Sequence, residues 1–146
     1  MRFRAFTKKD LNRLQILQNQ TLRLKLRASK YTSCKQLVKQ SGELSIHQLI
    51  ALHTLLQVHK VVLNKKPVYL SDKFSLKLPK NGHIFPHRQE LTIPITTKLS
   101  ISRSSFVTRG ARIWNQLPLQ LRKSNKKDGF KRQAKKWVKN HISIKP

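Results

Sequence analysis

The chain has 146 residues, of which 32 are Lys or Arg and 5 are Asp or Glu, so its formal net charge is +27. Its single cysteine, Cys34, excludes a disulfide framework and a multi-cysteine zinc site within the chain, and no apolar run reaches the roughly 20 residues of a membrane span. The length suffices for one modest core rather than two domains, and the composition favours an intracellular protein, cytoplasmic or nuclear, over a secreted one; a mitochondrial presequence stays open because the start is basic.

The first predicted helix runs from about Lys8 to Arg27. Thr7 and Asp10 have the spacing of a capping box, in which both side chains satisfy exposed N–H groups at the helix start. At about 100° per residue, six leucines fall on one broad face that we expect to pack into a core, while the other face is polar and mostly basic, with Ile16 as its one apolar residue. These leucines are Leu11, Leu14, Leu17, Leu22, Leu24 and Leu26.

Two further helices are predicted in the next forty residues or so. A short one spans about Cys34–Gln40 and is broken by Ser41 and Gly42. The next begins at Ser45, with Gln48 completing a second capping box, and ends near residue 64, before Lys-Lys-Pro. Its apolar residues fall on two nearly opposite faces, which is typical of a central helix covered by its neighbours. The two faces are Leu49, Leu52, Leu56 and Leu63, and Ala51, Leu55, Val58 and Val62.

The helical period disappears over residues 74–105. Apolar residues alternate with others in 91–95 and 99–101, which indicates two short strands or extended edges, with Pro94 excluding a central position in a sheet. An irregular stretch of this length is unusual inside an autonomous domain, so we expect that another protein segment covers it.

The last predicted helix spans about Asp128–Ile142 and is amphipathic. One stripe comprises Phe130, Ala134, Trp137, Val138, His141 and Ile142, and the other face Lys131, Arg132, Lys135, Lys136 and Lys139. Together the elements predict a mainly α fold, with a few amphipathic helices around a leucine-rich core and an irregular middle that holds two short strands at most. We divide the chain into a helical part (1–72), an irregular linker (73–105) and a C-terminal part (106–146), forming one unit that depends on a larger protein.

No pattern in the sequence predicts catalysis or metal binding. The acidic residues are far apart, whereas two-metal polymerase and nuclease chemistry requires clustered carboxylates. His47, His53 and His59 are six residues apart on one helix, so successive rings point about 240° apart, and we interpret them as ordinary, partly exposed histidines. Cys34 has no nucleophile signature and is interpreted as a small buried thiol. We therefore expect no catalytic residues, no metal and no cofactor.

The excess of positive charge predicts binding to a polyanion. Uncompensated cations repel one another in a compact chain, and phosphate backbones relieve that cost while releasing condensed counterions. An anionic membrane surface, an acidic protein and a merely solvated surface are the alternatives that composition leaves open. The candidate nucleic-acid-binding residues are Arg13, Arg23, Arg27, Arg103, Arg109, Arg112, Arg122, Lys123, Lys131, Arg132, Lys135, Lys136 and Lys139.

Aromatic residues are interleaved with these cations, around Phe106 and Trp114 above all. Aromatic rings can stack on unpaired bases, which would make the cluster a binding platform. Core packing is the commoner role of such side chains. We therefore interpret Phe106, Trp114, Phe130 and Trp137 as structural anchors and the basic residues beside them as phosphate contacts.

Residues 105–118 read Ser-Phe-Val-Thr-Arg-Gly-Ala-Arg-Ile-Trp-Asn-Gln-Leu-Pro. This resembles a segment that ends many non-LTR (LINE-type) retrotransposon reverse transcriptases, in which Ser-Phe, Arg-Gly, Trp-Asn and Leu-Pro pairs precede a basic stretch and a Phe-Lys-Arg helix. Here the continuation lies at 121–124 and 130–137. Upstream, residues 14–23, with Leu-Gln-Ile-Leu-Gln-Asn, and residues 48–60 are similar to helices of the same proteins, so the resemblance covers about 11–142.

The resemblance implies a C-terminal segment of an endonuclease and reverse transcriptase polyprotein, located after the polymerase palm, in or after the thumb that grips template and primer. The parent would copy its own RNA at a nicked DNA target. The paired aspartates of the polymerase and any endonuclease are missing from this chain, so no catalytic residue carries over and the chain alone is not expected to be an enzyme.

The expected partners are RNA or DNA and the rest of the polyprotein, with no membrane. A structural segment docked on the polymerase core, or an unrelated basic RNA-binding protein such as a ribosomal component, are the competing interpretations.

Overall fold

A computed structural model of the protein describes residues 7–76, 89–93 and 105–144. Seven helices make up most of this part, so the predicted mainly α fold is confirmed. They are α1 (Lys8–Leu26), α2 (Cys34–Ser41), α3 (Ile46–Asn64), α4 (Val68–Ser71), α5 (Phe106–Asn115), α6 (Leu119–Arg122) and α7 (Lys127–His141). The described residues contain one isolated antiparallel bridge, between Leu76 and Leu91. The predicted strand at 99–101 and the end of the one at 91–95 lie outside them.

The chain divides into two compact units. Unit 1 comprises Met1–Ala51 and Trp137–Pro146, and unit 2 comprises Leu52–Lys136. The chain passes from one unit to the other within α3 and again within α7. The three-part division drawn from the sequence stays a prediction.

Helix α1 begins with the predicted capping box. The Asp10 backbone N–H donates to the Thr7 hydroxyl at 3.2 Å, and the Thr7 backbone N–H donates to the Asp10 carboxylate at 3.0 Å. The helix ends at Leu26, because Arg27 takes a left-handed conformation with φ of 50°. Reciprocal capping of this kind satisfies N–H groups that a helix start otherwise leaves without partners.

The predicted packing of the α1 leucines is wrong for half of them. Leu22 is buried, whereas Leu14, Leu17 and Leu24 are 38%, 58% and 82% exposed. The six leucines spread over about 200° of the helix circumference, and only the side that carries Leu22 is covered by the rest of unit 1. On that side lies a buried glutamine, Gln15, which the leucine pattern does not reveal.

Gln15 belongs to a polar network that joins α1 to the start of α3. Its side-chain oxygen accepts from the Ile46 backbone N–H at 3.1 Å, and its amide nitrogen donates to Gln18 and Asn19 at 2.8 and 3.0 Å. The Gln18 amide in turn donates to the Leu44 carbonyl at 2.7 Å. Burial of a glutamine is tolerated here because both ends of its amide have partners.

The apolar centre of unit 1 is formed by Leu22 of α1 with Leu37 and Val38 of α2. Cys34 is half-buried against this cluster, as is Ile144. Helix α2 has its own capping box and stops at Gly42, whose φ of 69° suits glycine.

Helix α3 is apolar on most of its circumference, as the two-faced pattern predicts. Its predicted capping box is present, with hydrogen bonds of 3.1 and 3.4 Å between Ser45 and Gln48. Both predicted faces contribute buried residues, while His53 and Lys60 are exposed and Leu63 is 40% exposed. The helix ends at Asn64 as predicted.

Helix α5, in unit 2, is not evident from the sequence pattern. Its buried residues are Thr108, Gly110, Ala111 and Trp114, so only one of the four is a large apolar residue of the kind that a periodicity analysis looks for. Gly110 permits a close approach between α5 and α3, because a Cβ atom at Gly110 would lie 2.8 Å from Cγ2 of Val58 in α3. None of the described helices is both long enough and apolar enough to span a membrane.

Candidate nucleic-acid interface

Helix α7 has one buried face and one basic face. Phe130, Ala134 and Val138 are fully buried and Trp137 is 8% exposed, so the helix is held firmly along its inner side. The cations of the other face are all exposed. We call these five residues the α7 basic face; they are Lys131, Arg132, Lys135, Lys136 and Lys139.

The α7 basic face carries uncompensated charge. In the part of the chain that the structure describes, none of its five side chains takes part in an ion pair or a hydrogen bond. By contrast, Lys25 of α1 is paired with Glu43 at 2.6 Å. From Lys131 to Lys139 the helix rises by about 12 Å, so the cations form a short, continuous row. Charges held in this way on a rigid helix suit contact with several phosphates in succession.

The other candidate cations fall into two groups. Arg13, Arg27, Arg109, Arg112 and Lys123 are exposed, with Arg109 and Arg112 three residues apart on α5, on the side away from Trp114. Arg103 lies outside the described residues.

Arg23 and Arg122 are half-buried and bound to backbone carbonyl groups. Nη2 of Arg23 donates to the Thr32 carbonyl at 3.1 Å, and Nε of Arg122 donates to the Leu117 carbonyl at 3.0 Å. Each therefore braces a turn, so its guanidinium is less available to a phosphate than those of the α7 basic face.

The aromatic anchors are engaged inside the protein. Trp114 is fully buried, and its Nε1 donates to the Gln89 carbonyl at 2.9 Å. Phe106 is half-buried and meets the Phe74 ring edge-on, with 6.1 Å between ring centroids. A ring enclosed like that of Trp114 cannot stack on a base, and the half-buried Phe106 ring packs against Phe74.

The residues that carry the family resemblance are packing residues as well. Asn115 bonds both backbone groups of Leu91, each at 2.8 Å, while Leu117 is 2% exposed and Pro118 stands at the start of α6. Ser105 caps α5 by accepting from the Thr108 backbone N–H at 3.3 Å. Most of these signature residues thus contribute to the fold of unit 2, whereas Arg109 and Arg112 within the same segment are exposed.

His59 is a buried histidine that the sequence interpretation placed at least partly on the surface, and that interpretation is wrong. It is 3% exposed, stacks on Phe130 with 3.8 Å between ring centroids, and has Nε2 2.7 Å from the Ser124 carbonyl. Burial lowers the pKa of His59, and the hydrogen bond to Ser124 offsets this only in part. The sequence did contain one indication that His59 is buried, because this residue lies in α3, a helix that is covered on most sides.

His141 was predicted to share the buried stripe of α7 but is exposed. Its ring lies against the Trp137 ring, with 4.9 Å between centroids and 12° between planes, and its Nδ1 is 2.9 Å from the Trp137 carbonyl. Ile142, the next stripe residue, is half-buried just after the helix end.

The described residues include no group of three or more His, Cys, Asp or Glu side chains placed to hold a metal ion. Comparison of the chain with models of protein families, with curated proteins and with solved structures finds no match in any of the three.

Proposed function

We propose that this chain binds the phosphate backbone of RNA or DNA through the α7 basic face and catalyses no reaction of its own. The observation that carries the proposal is a row of five exposed cations, without ion-pair partners among the described residues, on a helix whose opposite side is buried. The backbone of a packed helix is already ordered before binding, so only the side chains lose conformational entropy when they contact phosphates.

The proposed binding is independent of base sequence. Phosphate contacts fix position and orientation, whereas base-specific readout needs side chains that match the edges of bases in a groove. The α7 basic face offers only Lys and Arg, of which lysine acts as a point charge without a directional pattern. Oligonucleotides of different sequence but equal length should therefore bind with similar affinity.

We further propose that this binding serves a LINE-type reverse transcriptase, of which the chain would be a C-terminal segment that supports template and primer. The support for this context is the sequence resemblance over residues 11–142, together with the basic surface. The rest of the polyprotein is then the expected protein partner.

A salt titration tests the proposed binding. If the five cations of the α7 basic face each neutralise one phosphate of a duplex, the logarithm of the association constant should fall with the logarithm of salt concentration with a slope of about −4.5. Fluorescence anisotropy with a labelled oligonucleotide measures this. Absence of binding at low salt, or a slope near zero, would remove the proposal.

The exposed leucines of α1 favour a second candidate function, docking on the polymerase core of the parent protein. Leu14, Leu17 and Leu24 fall within about 80° of one another around the helix and are exposed. An apolar stripe on a helix usually marks a packing surface. If docking alone is the function, the isolated chain should self-associate through this stripe and ignore oligonucleotides.

A further inference from the structure

A cavity of about 430 Å³ lies within unit 1, at the end of α7. Its lining includes Lys35, Val38 and Lys39 of α2 with Lys139, His141 and Ile144 of the C-terminal region. Cavities that hold small organic groups have volumes of about 300–1,000 Å³, so this one is large enough for a nucleobase with part of its sugar. We call it the α2–α7 cavity.

The lining combines apolar side chains with cations. Val38 is buried and Ile144 packs against the apolar centre of unit 1, whereas Lys35, Lys39 and Lys139 are exposed. The one acidic residue of the lining, Glu43, is already paired with Lys25. The chemistry therefore suits a ligand that is flat and apolar in its body and carries negative charge at its edge.

His141 supplies an aromatic surface at this cavity. One side of its ring lies against Trp137, and the contact between Nδ1 and the Trp137 carbonyl fixes the ring orientation. The residue is exposed and lines the cavity, so an incoming flat group can stack on it. Stacking of bases on aromatic side chains is a common means of holding single strands, because every base has a π face.

Lys139 links the cavity to the α7 basic face, since it belongs to both. A phosphate bound by Lys139 would therefore lie beside the cavity. A paired base inside a duplex is already stacked and hydrogen-bonded, so it cannot enter, whereas an unpaired base can.

We propose that the α2–α7 cavity takes one unpaired nucleobase, stacked on His141, with its neighbouring phosphates on Lys35, Lys39 and Lys139. The ligand class is therefore single-stranded nucleic acid, or a duplex with an unpaired end, rather than a plain duplex. This inference rests on the proposed function and adds to it a structural preference among polynucleotides.

Two matched oligonucleotides test the inference, a single strand and a blunt duplex of equal length, bound to the full chain at one salt concentration. Replacing His141 with Ala should weaken single-strand binding about tenfold and leave duplex binding unchanged, because only the stack is lost. His141→Phe should restore single-strand binding, since Phe keeps an aromatic face. Both substitutions fall on an exposed side chain, so folding should be preserved.

A base analogue gives a direct readout of the cavity. A single strand that contains 2-aminopurine should lose fluorescence on binding the wild-type chain, because stacking quenches the analogue, and should keep it on binding the His141→Ala variant. The Lys131→Gln variant alters the α7 basic face away from the cavity. It should weaken the binding of both oligonucleotides equally and leave the quenching of the bound single strand intact.

The two proposals fail in different ways. If neither oligonucleotide binds the wild-type chain, the proposed function is wrong. If both bind with equal affinity and the His141→Ala variant behaves like wild type, phosphate binding stands and the base-binding cavity is wrong.

Discussion

Asn115 and Leu91 are joined by a reciprocal pair of hydrogen bonds. The Leu91 backbone N–H donates to Oδ1 of Asn115 at 2.8 Å, and Nδ2 of Asn115 donates to the Leu91 carbonyl at 2.8 Å. The carbonyl of Gln89, two residues before Leu91, accepts from Nε1 of Trp114. Adjacent residues of α5 thus hold an otherwise irregular stretch of unit 2 against the helix, with Leu91 only 1% exposed.

Replacing Asn115 with Asp should therefore destabilise the protein. Aspartate keeps an acceptor for the Leu91 N–H but loses the donor, and it places a negative oxygen against the Leu91 carbonyl. We expect the free energy of unfolding to fall by about 1–3 kcal/mol, the usual cost of a buried polar group left without its partner. Urea denaturation measures this. Gln116→Ala, at the neighbouring exposed position, should change the free energy of unfolding by less than about 0.5 kcal/mol. Equal effects at both positions would contradict a stabilising role of the Asn115–Leu91 hydrogen bonds.

Two helical glycines should respond to alanine with opposite signs. At Gly110 a methyl group would meet Cγ2 of Val58 at 2.8 Å, and the overpacking cost of about 1–3 kcal/mol should outweigh a gain of up to about 1 kcal/mol in helix propensity. At Gly129, in α7, the nearest atom is Cβ of Lys126 at 3.8 Å, so the same change should be neutral or stabilising.

Thermal unfolding of the Gly110→Ala and Gly129→Ala variants measures whether the two substitutions change stability in opposite directions. A Val58→Ala background should make Gly110→Ala much less destabilising, because it removes the atom at 2.8 Å and leaves two Phe74 ring atoms, at 3.3 and 3.4 Å, as the nearest neighbours. If Gly110→Ala destabilises equally in both backgrounds, close helix packing is not the cause.

His59 should make the protein less stable in mild acid. Its pKa is lowered in the folded protein, so the unfolded chain binds a proton more readily, and the stability that neutral His59 allows is lost as pH falls below its ordinary pKa of about 6.5. The free energy of unfolding should therefore decline from about pH 7.5 to about pH 5.5. The same titration of a His59→Gln variant should decline less; identical pH profiles would show that another group is responsible.

Two leucines of α1, two residues apart, should differ sharply in their contribution. Leu22 is 2% exposed and Leu24 is 82% exposed. Leu22→Ala should lower the free energy of unfolding by about 2–5 kcal/mol, the range for deleting a buried leucine side chain, whereas Leu24→Ala should change it by less than about 0.5 kcal/mol. A large loss from Leu24→Ala would mean that its side of α1 is packed in solution, as the leucine pattern alone predicts.

Local signals predicted the helix starts well, because a capping box is encoded within four residues. Thr7 with Asp10 and Ser45 with Gln48 both form as predicted. The α1 leucines show the limit of helical periodicity as a predictor. Periodicity indicates which residues share a face of a helix, but not how much of that face neighbouring elements cover. The buried network of Gln15 depends on Ile46, 31 residues away, and no local pattern indicates that contact.

For the candidate site too, local sequence patterns were informative, whereas contacts between residues distant in sequence could not be predicted. Helical spacing places the five cations of the α7 basic face together, since they and the buried Phe130 and Val138 lie on one helix. The same reasoning cannot separate these cations from Arg23 and Arg122, whose guanidinium groups bind carbonyls 9 and 5 residues away. Nor could it identify the partners of the Trp-Asn-x-Leu-Pro signature, because Gln89 and Leu91 are distant in sequence.

The most direct measurement compares the salt dependence of nucleic-acid binding for two variants that each lose five positive charges. One replaces the whole α7 basic face with Gln, and the other replaces five exposed lysines elsewhere. The second set is Lys8, Lys9, Lys60, Lys73 and Lys126.

For duplex binding, we expect the α7 variant to lose most of the slope of about −4.5, and the second variant to retain most of it. Equal losses of slope in the two variants would show that binding follows net charge alone, and the role assigned to the α7 basic face would be contradicted.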